Sequence, residues 1–369
     1  MNNSKKNTTV VVGMSGGVDS SVAAALLLEQ GYNVIGVTMK TYSFDEVGGN
    51  IGNETSCCGL DAFNDARMVA VKLGIPHYVV DFTEQFGHEV IDNFVDEYLQ
   101  GRTPNPCIIC NKKIKWGELM KKAEALGAAY IATGHYARVW LDEGTKRYNI
   151  SRPTDTHKDQ TYALWGLSQY ALSKTIFPLG SLRKPDVRLL AEKHGLKTAQ
   201  KEESFEICFV ADNDYRRFLK ERIPDLDTRI PAGDIVLEGK IVGKHQGFPH
   251  YTIGQRSGIG AHRERVYVTD IDAQTNTIKI GREKDLLHTG LIAKEVNLIG
   301  VESLGQGMHV QAMVRYKDTP SPATVYVEAD GTFQLTFDEP KRAITPGQSV
   351  VMYDGERLLG GGVIERVVL

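Results

Sequence analysis

This chain of 369 residues is short of cysteine, of net charge and of long apolar runs. Its five cysteines are Cys57, Cys58, Cys107, Cys110 and Cys208, an odd number with no export signal ahead of them. That count argues against a disulfide framework and for a reducing, cytoplasmic setting. No apolar stretch approaches the ~20 residues that span a bilayer, so no membrane partner is expected. Residues 1–9 carry two lysines without a following apolar h-region, and read as a frayed leader. Lys and Arg total 43 against 46 Asp and Glu, a net charge of −3. Such a balance gives no whole-molecule attraction for nucleic acid, so any such partner must be met by local basic patches. Internal repeats and low-complexity tracts are missing too. What remains, 41% hydrophobic and 24% charged, describes a globular protein of about two or three domains.

The richest stretch is Gly13-Met14-Ser15-Gly16-Gly17-Val18-Asp19-Ser20-Ser21. An apolar run over 8–12 leads in and a helical pattern over 22–30 leads out. Strand, glycine turn and helix together present backbone N–H groups and a positive helix end to an anion. Gly16 and Gly17 permit positive φ and close approach of a phosphate, while Ser15, Ser20 and Ser21 offer hydroxyls and candidate helix caps. An ordinary strand-to-helix turn would use the glycines alike, but not the serines and the aspartate. No lysine stands where G-x-x-x-x-G-K-[ST] requires one, which excludes a Walker A loop.

Strand and helix then alternate: strands over 33–38, 77–80 and 130–133, helices over 61–73, 86–99 and 112–126. The alternation predicts an α/β fold with a doubly wound parallel sheet. Met39 and Gly134 follow strands at the end where such sheets carry ligand loops. Beyond 137 the pattern changes to a hairpin over 137–151, an aromatic helix over 158–173 and helices over 184–194 and 214–222. Short strands follow at 235–238, 240–243, 265–271 and 277–281, and a nearly all-strand tail at 291–369. From 234 on, the tail reads as one or two small β domains.

Cys107-Ile108-Ile109-Cys110 admits three readings: half of a zinc site, inert packing, or a reactive thiol. Zinc needs four ligands, and the adjacent Cys57-Cys58 pair chelates poorly. Cys110 opens a predicted helix and precedes Lys112, Lys113 and Lys115, which favours a thiolate and makes Cys110 the nucleophile candidate. Glu202, Glu203 and Glu206 should oppose a thiolate at Cys208, so local physics reads that cysteine as buried packing between Ile207 and Phe209. Lys158-Asp159-Gln160 with Arg147 and Arg152, and Arg315-Tyr316-Lys317, are basic turns that suit RNA but also occur as plain solvated surface. His135, after a strand, reads as a satisfied histidine before it reads as a catalyst. Gln255 to Gly260 says only β-turn.

Taken together these motifs resemble the tRNA-specific 2-thiouridylases of the PP-loop ATP pyrophosphatase superfamily, enzymes that sulfurate a wobble uridine. The matching segments are 13–20, 102–111, 133–137, 158–160, 207–209 and 251–260, with the resemblance running from residue 8 to at least 316. It implies an ATP-binding catalytic domain of adenine nucleotide α-hydrolase type at 1–210, a small central domain at 211–285 and a C-terminal β-barrel at 286–369. Gly13, Met14, Ser15, Gly16, Gly17, Val18, Asp19 and Ser20 would hold the ATP phosphates, and Met39 and Gly134 the adenosine. Asn105, Pro106 and Cys107 would face the base; Lys158, Asp159, Gln160, Arg315 and Tyr316 would contact tRNA. Cys110 would match the nucleophile and Cys208 the persulfide carrier.

Further implications are Mg²⁺ with the ATP, a tRNA bearing a wobble uridine, and a persulfide carrier protein or cysteine desulfurase as partner. Many family members carry aspartate where this chain has Cys107, so Cys107 stays out of the catalytic pair. An alternative makes Cys107, Cys110 and Cys208 three ligands of an iron–sulfur cluster. Two rivals share the loop: an amidotransferase-type ligase, for which no glutaminase-like segment is evident, and a non-catalytic nucleotide- or RNA-binding module.

Overall fold

The computed structural model describes residues 5–42, 60–201, 207–210 and 212–368. The loop bearing Cys57 and Cys58, and the acidic residues Glu202, Glu203 and Glu206, lie outside the described residues. Two compact units form: Met1–Val90 with Cys107–Asn213 and Glu356–Leu358, and Ile91–Pro106 with Asp214–Gly355 and Leu359–Leu369.

In the first unit, strands β1 (Thr9–Gly13), β2 (Asn33–Lys40), β3 (His77–Asp81) and β4 (Tyr130–Ala132) are parallel. The hairpin β5 (Arg138–Leu141) and β6 (Tyr148–Ser151) turns where the sequence pattern changes. A two-residue strand, β7 (Thr175–Ile176), then joins the parallel sheet beside β4, giving the order β3-β2-β1-β4-β7. Strand β7 is too short to announce itself in sequence. Val10, Val11 and Val12 are fully buried, as a sheet covered on both faces requires. Helices α1 (Val18–Glu29) and α2 (Leu60–Leu73) pack with the Lys184–Lys193 helix around a core that includes Val22, Leu27, Val69 and Val187. Strand order reverses between β1 and β4, which opens a crevice at their carboxyl ends.

Two local expectations need correction. The helix expected at 112–126 begins earlier, as Pro106–Ile109, continues as a π-helix over Cys110–Leu119 and ends as Met120–Ala125. Pro106 is its first residue, a position where a missing N–H costs nothing, so the proline starts the helix. The helix expected over 158–173 is a 3₁₀ turn, Thr161–Leu164, and a short helix, Gln169–Ser173, separated at Gly166.

The second unit holds two β structures. Strands β8 (Gly233–Leu237), β9 (Lys240–His245), β10 (Tyr267–Asp272) and β11 (Thr277–Gly281) make a sheet in the order β10-β11-β8-β9, packed on Tyr251, Ile259 and Val268. Strands β12 (Leu287–Leu298), β13 (Met308–Met313), β14 (Ser321–Val327), β15 (Phe333–Arg342), β16 (Ser349–Asp354) and β17 (Arg357–Val368) follow. Their order is β12-β15-β14-β13-β16-β17, and β17 pairs back to β12. Closure removes the exposed edges and encloses a core of Leu291, Val325, Phe333, Leu335 and Met352. The expected architecture, a parallel α/β sheet followed by a central β domain and a β-barrel, is the observed one.

Candidate functional site

The glycine loop leaves β1 at Gly13 and enters α1 at Val18. Met14, Gly16 and Val18 are buried, while Ser15 is exposed. Gly16 has φ +71°, and a Cβ there would strike the carbonyl of Ala62 on α2, so neither the dihedral nor the space admits a side chain. Gly17 is the N-cap and receives no side-chain cap. The serines therefore do not cap α1: Ser20 and Ser21 donate back to Gly17 O at 3.2 and 2.8 Å, and Ser20 Oγ accepts from Ser15 N at 3.2 Å. Those bonds stiffen the turn and leave the first N–H groups of α1 for an anion. Gly134, after β4, lies where a Cβ would sit 2.7 Å from Ser20 N. The strand end and the helix start thus meet main chain to main chain across the crevice.

Asp19 is the hub of the loop. Its Oδ1 accepts from Tyr136 OH at 2.8 Å, and its two oxygens accept from Lys184 Nζ at 2.7 and 2.8 Å. Tyr136 is itself fixed by Gln160, whose Oε1 takes the Tyr136 N–H at 2.9 Å and whose N–H reaches Tyr136 O at 3.2 Å. Asp159 accepts from Thr161 N and Oγ1 at 2.9 and 2.6 Å and pairs with Arg152 at 3.5 Å. Asp159 is thus fixed by Thr161 and Arg152, Gln160 is fixed on Tyr136, and Lys158 precedes them, half-buried.

Sequence reasoning missed Lys184 and the role of Tyr136. The signal for Lys184 was present but unused: a lysine opens a helix, at the end where a cation is disfavoured.

His135 is enclosed between Trp116 and Phe177, with ring centroids 5.6 and 6.1 Å away. Burial, reinforced by the Lys115 ammonium, holds its pKa well below the usual histidine value. It is neutral near pH 7, with Nδ1 on Thr133 Oγ1 at 2.7 Å and Nε2 facing Lys115 Nζ at 3.5 Å. The satisfied-histidine reading is the one this geometry fits.

Cys107, Cys110 and Cys208 are thiols. Cys107 is exposed in the first turn of its helix, and Cys110, half-buried, is the first residue of the π stretch. Lengthened turns of this kind occur mostly at functional sites. Of the lysines that follow, Lys113 pairs with Glu89 at 3.0 Å and Lys115 with His135, so those two ammonium groups are committed elsewhere. Cys208 is held by its carbonyl, which accepts from Tyr42 OH at 2.7 Å, while Phe209 packs edge-on to Phe86 at 5.7 Å. Among the described residues no three His, Cys, Asp or Glu side chains are placed to hold a metal ion. Among the described residues Cys107, Cys110 and Cys208 are thus not grouped as ligands of one cluster. Met39 lies at the carboxyl end of β2, opposite Val80.

In the second unit, Thr103 N donates to Pro346 O at 2.9 Å, and Gln348 Nε2 donates to Thr103 O and Pro104 O at 3.0 and 2.8 Å. This clamp carries Asn105 and Pro106. Gly347, at φ +90°, makes room for it: a Cβ would meet Thr103 O at 2.8 Å. Arg315 and Tyr316 are exposed on the β13–β14 turn, which Lys341 secures through Asp318 at 2.9 Å and Ser321 at 2.9 Å.

A glycine loop at the strand-order reversal of a parallel sheet, with its helix start open and thiols in the same unit, defines a nucleotide-binding α/β domain of thiol-bearing type. The comparisons give the family. Residues 8–212 match the profile described as tRNA methyl transferase HUP domain, 216–282 its PRC-barrel domain, and 288–364 the aminomethyltransferase beta-barrel domain. The tRNA-specific 2-thiouridylase MnmA of Salinibacter ruber (strain DSM 13855 / M31) is 50% identical over 365 residues, covering 98% of this chain and 95% of that protein. The protein of the same name from Carboxydothermus hydrogenoformans (strain ATCC BAA-161 / DSM 6008 / Z-2901) is 51% identical, covering 97% of each. The chain belongs to the tRNA-specific 2-thiouridylase family.

Proposed function

We propose that this chain thiolates tRNA: it catalyses ATP-dependent 2-thiolation of the wobble uridine, releasing AMP and pyrophosphate. The observation that carries the reading is one of placement. The glycine loop, Cys110 and Cys208 all belong to a single compact unit.

Uridine C2 resists sulfur because its oxygen is a poor leaving group. In this proposal that oxygen attacks the α-phosphorus of ATP held by residues 13–20, and pyrophosphate departs with the electrons of the broken P–O bond. The open N–H groups of α1 stabilise the charge that develops on the phosphates. Mg²⁺ would arrive with the ATP, held by phosphate oxygens. The base must first leave the anticodon stack. A persulfide on Cys208, loaded by a carrier protein or cysteine desulfurase, attacks C2 through its outer sulfur and displaces AMP. Cys110 thiolate then attacks the Cys208 sulfur, which frees 2-thiouridine and leaves a Cys110–Cys208 disulfide for an external dithiol to reduce. Asn105, Pro106 and Cys107 would face the base, Met39 and Gly134 the adenosine. Lys158, Asp159, Gln160, Arg315 and Tyr316 would touch tRNA. The matched spans support domains at 1–210, 211–285 and 286–369.

Cys208→Ser should abolish 2-thiouridine, measured by nucleoside mass spectrometry, while ATP binding by calorimetry stays at the wild-type value. Normal thiolation in that variant would refute the sulfur-carrier assignment.

A further inference from the structure

Lys184 is out of place by every structural criterion. It is 8% exposed, it opens a helix whose positive end disfavours a cation, and its ammonium lies against the carboxylate of the glycine loop. Burying such a pair yields little stability once desolvation is counted, so its retention asks for another reason. The chemistry of the loop supplies one. A loop built for a polyanion carries a carboxylate, Asp19, in the first turn of its helix, and an unneutralised carboxylate there would repel phosphate.

The surroundings hold both partners at the loop. Tyr136 OH donates to Asp19 Oδ1 at 2.8 Å, and Gln160 fixes the Tyr136 main chain. The Lys184 main chain is anchored by its N–H to Asp155 at 2.9 Å and is followed by Pro185. The ammonium lies 5.8 Å from the centre of the Tyr136 ring.

We propose that Lys184 is a phosphate-binding residue of this site. It stays on Asp19, whose charge it neutralises, and shares its ammonium with the β- and γ-phosphates when a triphosphate enters. The inference rests on the ATP reading above and adds to it the residue that receives the pyrophosphate end.

The test is calorimetry on the full chain with α,β-methylene-ATP, inorganic pyrophosphate and AMP. Lys184→Met should weaken the first two by about 10- to 100-fold, the size of a lost charge-assisted contact. AMP, which lacks the distal phosphates, should bind within about twofold of wild type, and Lys184→Arg should recover most of the loss. Should Lys184→Met fail to fold, Lys184→Gln, whose amide still donates to Asp19, is the variant to read. Equal losses for AMP and for the polyphosphates, or no loss at all, would make Lys184 a structural partner of Asp19 and overturn the proposal. A wild-type chain that binds neither AMP nor the ATP analogue would instead sink the nucleotide reading itself.

Discussion

At the scale of single residues, backbone geometry and burial decide more than side-chain identity. Gly16 is forced by a φ of +71° and by the Ala62 carbonyl against its α-carbon. Gly16→Ala should cost about 1–2 kcal/mol in backbone strain alone, with further loss from the clash. Thermal unfolding should show that loss, and calorimetry should show ATP affinity falling with it; an alanine variant that binds ATP as the wild type does would mean the close approach is dispensable. His135 makes a pH prediction. Its folded pKa lies well below the ~6.5 of the unfolded chain, so below that pH the unfolded state binds a proton that the native state refuses. The stability it contributes is complete above pH ~6.5 and falls by about 1.4 kcal/mol per pH unit beneath it. His77, His245 and His250 are also pushed down by burial and add to the same slope. Urea titrations at pH ~6.5 and ~5.5 should therefore show the slope shrink by about one proton in His135→Gln. An unchanged slope would mean the ring is protonated in the folded chain.

At the scale of elements, the thiols are presented by two different devices. Cys107 and Cys110 ride a helix that a proline starts and that widens to a π-helix from Cys110 onward. Cys208 sits in irregular backbone pinned by Tyr42 and by the Phe86–Phe209 contact. Tyr42→Phe removes the hydroxyl that holds the Cys208 carbonyl and should cost about 1 kcal/mol locally. Single-turnover sulfur transfer should slow several-fold while ATP affinity holds. A variant with unaltered transfer would show that the pin does not position the persulfide. The serines of the glycine loop make the complementary point. They look like caps in sequence, yet they bond back to Gly17 and leave the helix start without a side-chain cap.

At the scale of the molecule, a chain of net charge −3 that works on tRNA must hold it through few, localised contacts. The Arg315-Tyr316-Lys317 turn, exposed on the barrel and braced by the Lys341–Asp318 pair, is where we propose one such contact. Arg315→Ala should lower the slope of log affinity for tRNA against log salt concentration by about one, measured by filter binding across a salt series. If the slope is unmoved, Arg315 does not touch the phosphate backbone. Among the described residues no helix is long and apolar enough to cross a membrane, as the lack of apolar runs predicts.

Local information sufficed for the sheet, the glycine loop and the barrel strands, because period, turn residues and β-branched runs act over a few neighbours. The hairpin over β5 and β6 and the helix expected over 184–194 were legible for the same reason. Strand β7 was not, since two residues carry no period, and the helix expected from 112 begins already at Pro106, because proline suits a first turn. The convergence of Tyr136, Gln160 and Lys184 on Asp19 was decided by the tertiary structure alone. Those residues lie more than 100 positions away in the chain, and only the order of parallel strands sets which loops meet at the crevice. Sequence determined what the loop could bind; the fold determined which distant cation neutralises it.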